Sequence, residues 1–197
     1  MTAARLRLVF AAALVVQSGI AQSDLWRHVG SRPTRKFASV TLPESQRQSI
    51  IKLLKGRVSL DGWECASADD EWLNNLSYET IPLSPRVRVL LIEAGQGCAR
   101  GGQGSNGAMW LIRFDGSHPT LLASPQQSFN GWIYSVEPAS SNGYRDIVLG
   151  WHMSAFEAGL TYFRFDGKSY RRVSSATFRE EDDGTQRIIP GPPTSLP

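Results

Sequence analysis

The sequence predicts an α+β protein: one N-terminal helix packed on a mostly antiparallel β-sheet that contains a tandem hairpin repeat. Three observations carry this expectation. Past the N-terminal leader, a helical apolar stripe appears at Ile50, Leu53 and Leu54, with Ile51 at its edge. Downstream the period drops toward 2, in β-prone runs such as Val87–Ile92 (VRVLLI), Ala108–Phe114 (AMWLIRF) and Leu160–Phe165 (LTYFRF). Asp61-Gly62, Asp115-Gly116, Asn142-Gly143 and Asp166-Gly167 punctuate these runs, and such pairs suit tight hairpin turns.

In chain order, residues 1–21 read as a signal peptide. Arg5 and Arg7 form a positive start, Leu8–Val16 (LVFAAALVV) an apolar core, and Gly19-Ile20-Ala21 a small-residue cleavage site. That apolar run is short of the ~20 residues a spanning helix needs, so no stable membrane anchor is expected. Residues 22–40 are polar, broken by Gly30 and Pro33, and read as a flexible N-terminal arm on which Trp26 docks and His28 is solvated.

A single domain is expected over 41–180. Thr41 and Glu44 have capping-box spacing, Pro43 fits a first helical turn, Lys52 and Lys55 suit the last turn, and Gly56 is a natural stop. Arg57–Cys65 (RVSLDGWEC) alternates as a strand or hairpin, and Leu76–Leu83 reads as an edge-like strand closed by Pro82 and Pro85. Asp69, Asp70 and Glu71 are consecutive acids, which lack the alternating ligand spacing of a calcium loop.

The repeat rests on Arg113-Phe114-Asp115-Gly116 and Arg164-Phe165-Asp166-Gly167, identical in four positions. The copies run over about 86–123 and 144–173. In the first, a strand, a Gly-rich loop (93–107), a strand, a turn and Thr120–Ala123 follow one another. In the second, Asp146–Leu149, a loop from Gly150 to Gly159, Leu160–Phe165, a turn and Tyr170–Val173 repeat the plan. Residues 181–197 are acidic and then Pro-rich, with Arg187–Ile189 as an added edge strand and a disordered end.

Charge, cysteines and motifs bound the function. The 197 residues carry 21 Lys+Arg against 18 Asp+Glu; without Arg5 and Arg7 this is 19 against 18. No basic patch interleaved with aromatics remains, so nucleic acid is not an expected partner. Cys65 and Cys98 are the two cysteines. In an oxidising compartment they are expected to form a disulfide worth about 3–4 kcal/mol, two free thiols being the alternative. They are too few for a zinc site.

Gly102, Gly104 and Gly107 spell GxGxxG, but a strand rather than a helix follows, so no dinucleotide and no other cofactor is expected. Neither a GxSxG nor an HExxH motif is present. The three histidines are His28, His118 and His152. The candidate ligand loop carries Asp146, His152 and Glu157, with Ser154 between them; a Ser-His-acid arrangement there depends on convergence in space.

The stretch from Gly143 to Val173 (GYRDIVLGWHMSAFEAGLTYFRFDGKSYRRV) resembles a D-[IVL]-V-x-G…F-D-G-K-x-Y pattern of uncharacterised exported bacterial proteins. It is also loosely similar to single blades of FG-GAP-type β-propeller repeats. The D-x-D-x-D-G calcium run of those blades is absent, and two repeats do not close a propeller of about 4–8 blades. The resemblance implies a secreted β-rich module. The expected function is an exported, periplasmic or secreted, non-enzymatic module that binds a protein or glycan, for which six tryptophans and five tyrosines are suitable surface material. The alternative is a small secreted hydrolase using the His152 loop.

Overall fold

The computed structural model describes residues 22–29, 37–55, 73, 75–94 and 106–192. The expected signal peptide (1–21), Cys65 and Cys98, the Arg57–Cys65 strand, most of the Gly-rich loop and residues 193–197 lie outside the described residues. The fold is mostly antiparallel β-sheet with few helices. In chain order the elements are α1 (Gln22–Trp26), β1 (Ala38–Ser39), α2 (Glu44–Lys55), β2 (Leu76–Ile81), β3 (Val89–Ala94), β4 (Gly107–Asp115), β5 (His118–Ala123), a 3-10 turn (Pro125–Gln127), β6 (Asn130–Ser141), β7 (Tyr144–His152), β8 (Glu157–Phe165), β9 (Tyr170–Glu180) and β10 (Gln186–Pro190).

The strands hydrogen-bond in the order β1-β2-β3-β4-β6-β7-β8-β9-β10, with β5 on β4. One edge of β4 is divided between two neighbours. Its first two residues pair with β6 (Gly107 with Gly131, Ala108 with Asn130), and Leu111 to Asp115 pair with β5. The chain manages this exchange in a tight 3-10 turn. Buried Ser124 donates from both its backbone N–H and its hydroxyl to Gln127 Oε1, at 2.8 and 2.9 Å.

That narrow join lets the two halves of the sheet face each other. Val89, Leu91, Met109 and Leu111 on one half share a core with Ile147, Leu149, Phe163 and Phe165 on the other. Tyr170 belongs to this core too, and its hydroxyl donates to the Arg145 carbonyl at 2.7 Å, tying β9 to β7. Alternate residues of the same strands form two outer faces, and both are covered. Leu90, Ile92, Trp110 and Ile112 lie under Ile50 and Leu54 of α2. Tyr134, Val148, Leu160, Tyr162 and Ala176 lie under Trp26 and Val29 of the N-terminal segment. Each buried large apolar side chain contributes about 1.5–3 kcal/mol.

Several sequence expectations change here. Helix α2 forms with Ile50 and Leu54 fully buried, but the Thr41–Glu44 capping box does not. Glu44 instead accepts from Arg47 Nε at 2.9 Å and Gln48 Nε2 at 2.6 Å, one turn downstream. A second, short helix precedes α2, so the helix over Glu44–Lys55 is not alone. The twelve-residue strand β6 was not foreseen; it carries Pro138 and Glu137, which obscure the alternation begun by Trp132 and Tyr134. The expected loop from Gly150 to Gly159 shrinks to Met153–Phe156, because β7 and β8 extend through it. The two Asp-Gly turns differ. Asp115 pairs with His118 across a two-residue loop, whereas Phe165 pairs with Tyr170 across four. The tail from 181 contains β10, an edge strand on β9.

Two predictions follow from this packing. Gly131 has φ +101° and a Cβ there would lie 2.0 Å from the Gly150 carbonyl oxygen, whereas Gly116 (φ +64°) has open space around it. Gly131→Ala should therefore cost roughly 2–4 kcal/mol in urea unfolding and Gly116→Ala only about 1. Equal costs would show that the close β6–β7 approach is not the constraint. In the second turn, the backbone N–H groups of Ser169 and Lys168 each donate to Asp166 Oδ1 at 2.7 Å, and with Arg171 they lower its carboxyl to about 2. A lowered native value stabilises above the unfolded value and is lost as pH falls through about 2. The stability gap between wild type and Asp166→Asn should be widest above pH ~4 and close toward pH ~2; a gap that stays constant over that range would remove the charge from the turn's stability.

Candidate functional site

The structure divides the residues of the expected ligand loop: His152, Ser154 and Glu157 share the β7–β8 tip, where Ser154 N–H donates to the Glu157 carbonyl at 3.1 Å, and Asp146 lies apart from them. His152 is the last residue of β7, opposite Ala158, and its side chain is exposed. Its backbone is clamped by Asn106: His152 N–H donates to Asn106 Oδ1 at 2.8 Å, and Asn106 Nδ2 donates to the His152 carbonyl at 3.1 Å. Glu157 opens β8 and accepts from Arg179 Nε at 2.7 Å. Asp146 lies six positions back along β7, about 20 Å at strand rise. Asp146 is therefore too far away to be the acid of a Ser-His-acid arrangement at the tip, and the carboxylate that is at the tip, Glu157, is engaged by Arg179. What the β7–β8 tip does present is apolar surface, with Trp151, Met153 and Phe156 exposed.

Asp146 belongs instead to a polar network on the outer face under α1. Strand alternation puts Asp146 and Val148 of β7 on that face, beside Tyr162 and Arg164 of β8. Asp146 is wholly buried. Its Oδ2 accepts from Arg164 Nε and Nη2 and from the Tyr162 hydroxyl, each at 3.2 Å, and its Oδ1 from the Ser141 hydroxyl at 3.4 Å. Burial pushes the carboxyl above its usual range, and Arg164, Tyr162 and Ser141 only partly restore the charged form. Burial together with the neighbouring carboxylate likewise raises the Tyr162 phenol.

Glu137 sits on β6 where the ladder is irregular. The register between β6 and β7 skips from Val136 to Ser140, leaving Glu137, Pro138 and Ala139 unpaired. Pro138 has no N–H to offer a neighbour, which favours a bulge at this point. Arg145 serves the backbone at this break: its Nε donates to the Glu137 carbonyl at 2.7 Å and its Nη2 to the Val136 carbonyl at 3.0 Å. The bulge turns the Glu137 side chain toward the outer face, where it is only 5% exposed and accepts from the Ser135 hydroxyl. Burial raises its carboxyl, opposed by Ser135 and Arg145.

The fourth wall is the N-terminal segment. Trp26 Nε1 donates to the Ser174 hydroxyl at 2.8 Å, and the indole meets Tyr162 edge-on at 5.8 Å. This anchor holds Asp24, Leu25 and His28 over the sheet. Between them and Glu137, Pro138, Ala139, Tyr162 and Arg164 lies a cleft of about 630 Å³. A smaller depression of about 290 Å³ lies beside Leu149, Gly150 and Trp151. Among the described residues no three His, Cys, Asp or Glu side chains are grouped to hold a metal ion. The cleft therefore offers carboxylates, one guanidinium and apolar walls.

Sequence reasoning found Asp146 but placed it with the wrong partners, and it missed Glu137, Tyr162, Arg164 and the docked segment. One signal was available. Asp146 shares strand parity with Val148, so once β7 is read through to His152 it falls on a covered face, where a charge demands a partner.

Arg164→Leu tests the network. It strands a buried carboxylate and should cost about 2–4 kcal/mol at pH 7, somewhat below a fully buried pair because part of the Arg164 side chain is in water. A native carboxyl raised further opposes folding as pH climbs past its unfolded value, so the cost should shrink toward pH ~4. Adding Asp146→Asn should recover most of it. Urea unfolding at both pH values checks this; a pH-independent cost would mean that Arg164 acts by packing alone. No family model, no curated protein and no solved structure matches this chain, so the cleft's role follows from its own chemistry.

Proposed function

We propose that the chain is an exported, non-enzymatic binding module, periplasmic or secreted, whose ligand occupies the cleft beneath the N-terminal segment. One observation carries the reading: a cleft of about 630 Å³ with a nearly buried carboxylate, Glu137, on its wall. Ligand sites typically enclose about 300–1,000 Å³ and combine apolar lining with a few placed polar groups. This volume takes a small molecule, one side chain of a partner protein, or one unit of a glycan.

The other elements of this reading support one another. The Arg5/Arg7 and Leu8–Val16 leader directs export, and an oxidising compartment makes a Cys65–Cys98 disulfide the expected state of the thiols. We read β3–β4–β5 and β7–β8–β9 as the two copies of the hairpin unit, since each is an antiparallel three-strand meander whose last turn starts at Asp-Gly. In this reading α2 is the domain's principal packed helix, and the β7–β8 stretch is the part similar to exported bacterial proteins and to propeller blades. The alternative, a hydrolase on the His152 loop, would have to use Glu157 as its acid, since Asp146 lies about 20 Å from His152 along the strand and Glu157 is already engaged by Arg179.

A thermal-shift screen of small polar ligands separates the two. Wild type should give stabilising hits, His152→Ala should keep them, and Ala139→Trp, which fills the mouth of the cleft, should lose them. Hits that all survive Ala139→Trp would place binding elsewhere. Turnover of an ester, glycoside or peptide that vanishes in His152→Ala would overturn the non-enzymatic reading.

A further inference from the structure

We propose that the cleft selects an organic cation, an ammonium or guanidinium carried on a short apolar body and seated against Glu137. The inference rests on the cleft being the binding site and adds the chemical class of what enters it.

The charges around the cleft can be followed one at a time. Asp146 is already matched, with two nitrogens of Arg164 on one of its oxygens at 3.2 Å. That pairing also occupies the cation best placed to attract an anion. Asp24 pairs with Arg27 at 3.1 Å, but both side chains are largely in water, at 46% and 70% exposure, so the pair is weak and exchangeable. Glu137 differs from both. It is 95% buried, and its carboxylate is hydrogen-bonded by a neutral hydroxyl, that of Ser135. Two basic side chains favour the charged form from nearby, Arg145 and the cleft-lining His28, but neither forms an ion pair with the carboxylate, and Arg145 Nε and Nη2 are committed to the carbonyls of Glu137 and Val136. A carboxylate held out of water without an ionic partner is costly, and a ligand cation removes that cost.

The rest of the wall narrows the class. An anionic ligand would meet Glu137 and Asp24, and among the described lining residues the one guanidinium, Arg164, is already held by Asp146, which leaves His28 as the other basic side chain. A divalent metal ion is disfavoured, because it requires several oxygen ligands on one point and no such group exists among the described residues. Leu25, Pro138 and Ala139 provide apolar surface beside the carboxylate, and Tyr162 supplies an aromatic ring. A charged head at Glu137 with a few methylenes along Leu25 and Ala139 matches this layout.

Backbone-amide NMR titration of the intact chain tests it, with butylammonium and butylguanidinium as probes and butanol and butyrate as their neutral and anionic counterparts. Both cations should give saturable shifts at Leu25, His28, Ala139 and Tyr162 in the millimolar range, and the counterparts should give none. Glu137→Gln keeps the shape and should weaken the cations about tenfold or more, whereas Ala139→Trp keeps the carboxylate and should abolish their shifts. Equal binding of butanol and butylammonium in the cleft, or unchanged cation affinity in Glu137→Gln, overturns charge selection while leaving the cleft as a site. Cation shifts that persist in Ala139→Trp, or that map outside the cleft, overturn the site itself.

Discussion

The divided edge of β4 is the constraint on which the rest of the structure depends. Two residue pairs, Gly107 with Gly131 and Ala108 with Asn130, are all that join the two halves of the sheet along β4 and β6. So short a ladder does little to set the angle between the halves; the apolar core between them does. Because β3, β4, β7 and β8 each contribute alternate residues to that core, their remaining residues form two outer faces that are themselves apolar. A sandwich with apolar outer faces needs cover on both sides. Helix α2 supplies one cover and the N-terminal segment the other.

The two covers are unequal, and the cleft is the difference. Helix α2 has twelve residues, long enough for Ile50 and Leu54 to reach across β3 and β4. The N-terminal segment has a helix of five residues, about 7–8 Å long. It covers Tyr162, Leu160 and Ala176 with Trp26 and Val29, and its Asp24, Leu25 and His28 face the β6 bulge across the cleft. The surface left over is not apolar. It carries Glu137, Arg164 and, behind them, Asp146. The charged groups of the outer face thus lie where β6 departs from its ladder, under the N-terminal segment.

Much of this was legible in the sequence, and the failures share a cause. The apolar stripe of α2 and the strands β3, β4, β7 and β8 follow from periodicity, because side-chain burial dictates period. Continuous apolar runs such as Leu90-Leu91-Ile92 announced strands buried on both faces, yet they do not say what lies on the second face; that partner comes from elsewhere in the chain. The same limit hid the site. Asp146 reads as the start of a strand and groups with His152 and Glu157 by proximity in sequence, and only the register of β7 against β8 sets it beside Arg164. β6 was hidden because Glu137-Pro138-Ala139 breaks the strand pattern, and that break is the feature that exposes a carboxylate to the cleft.

The β6 bulge also explains why the charged groups can coexist under a buried face. Removing three residues from the ladder frees carbonyls that must be satisfied. Arg145 satisfies that of Glu137 from the neighbouring strand and also bonds the carbonyl of Val136 just before the break, so its guanidinium lies on backbone and not on the Glu137 carboxylate. Had Arg145 paired with that carboxylate instead, the Glu137 carbonyl would lose this donor and the cleft wall would be neutralised. The arrangement observed does the reverse: the guanidinium serves the backbone, and the Glu137 carboxylate faces a space large enough for a ligand without an ion pair of its own. A buried carboxylate kept apart from the guanidinium next to it is destabilising for the fold taken alone. It is favourable when the missing charge arrives from outside, and this coupling of a local cost to occupancy is what separates a binding cleft from a packing defect.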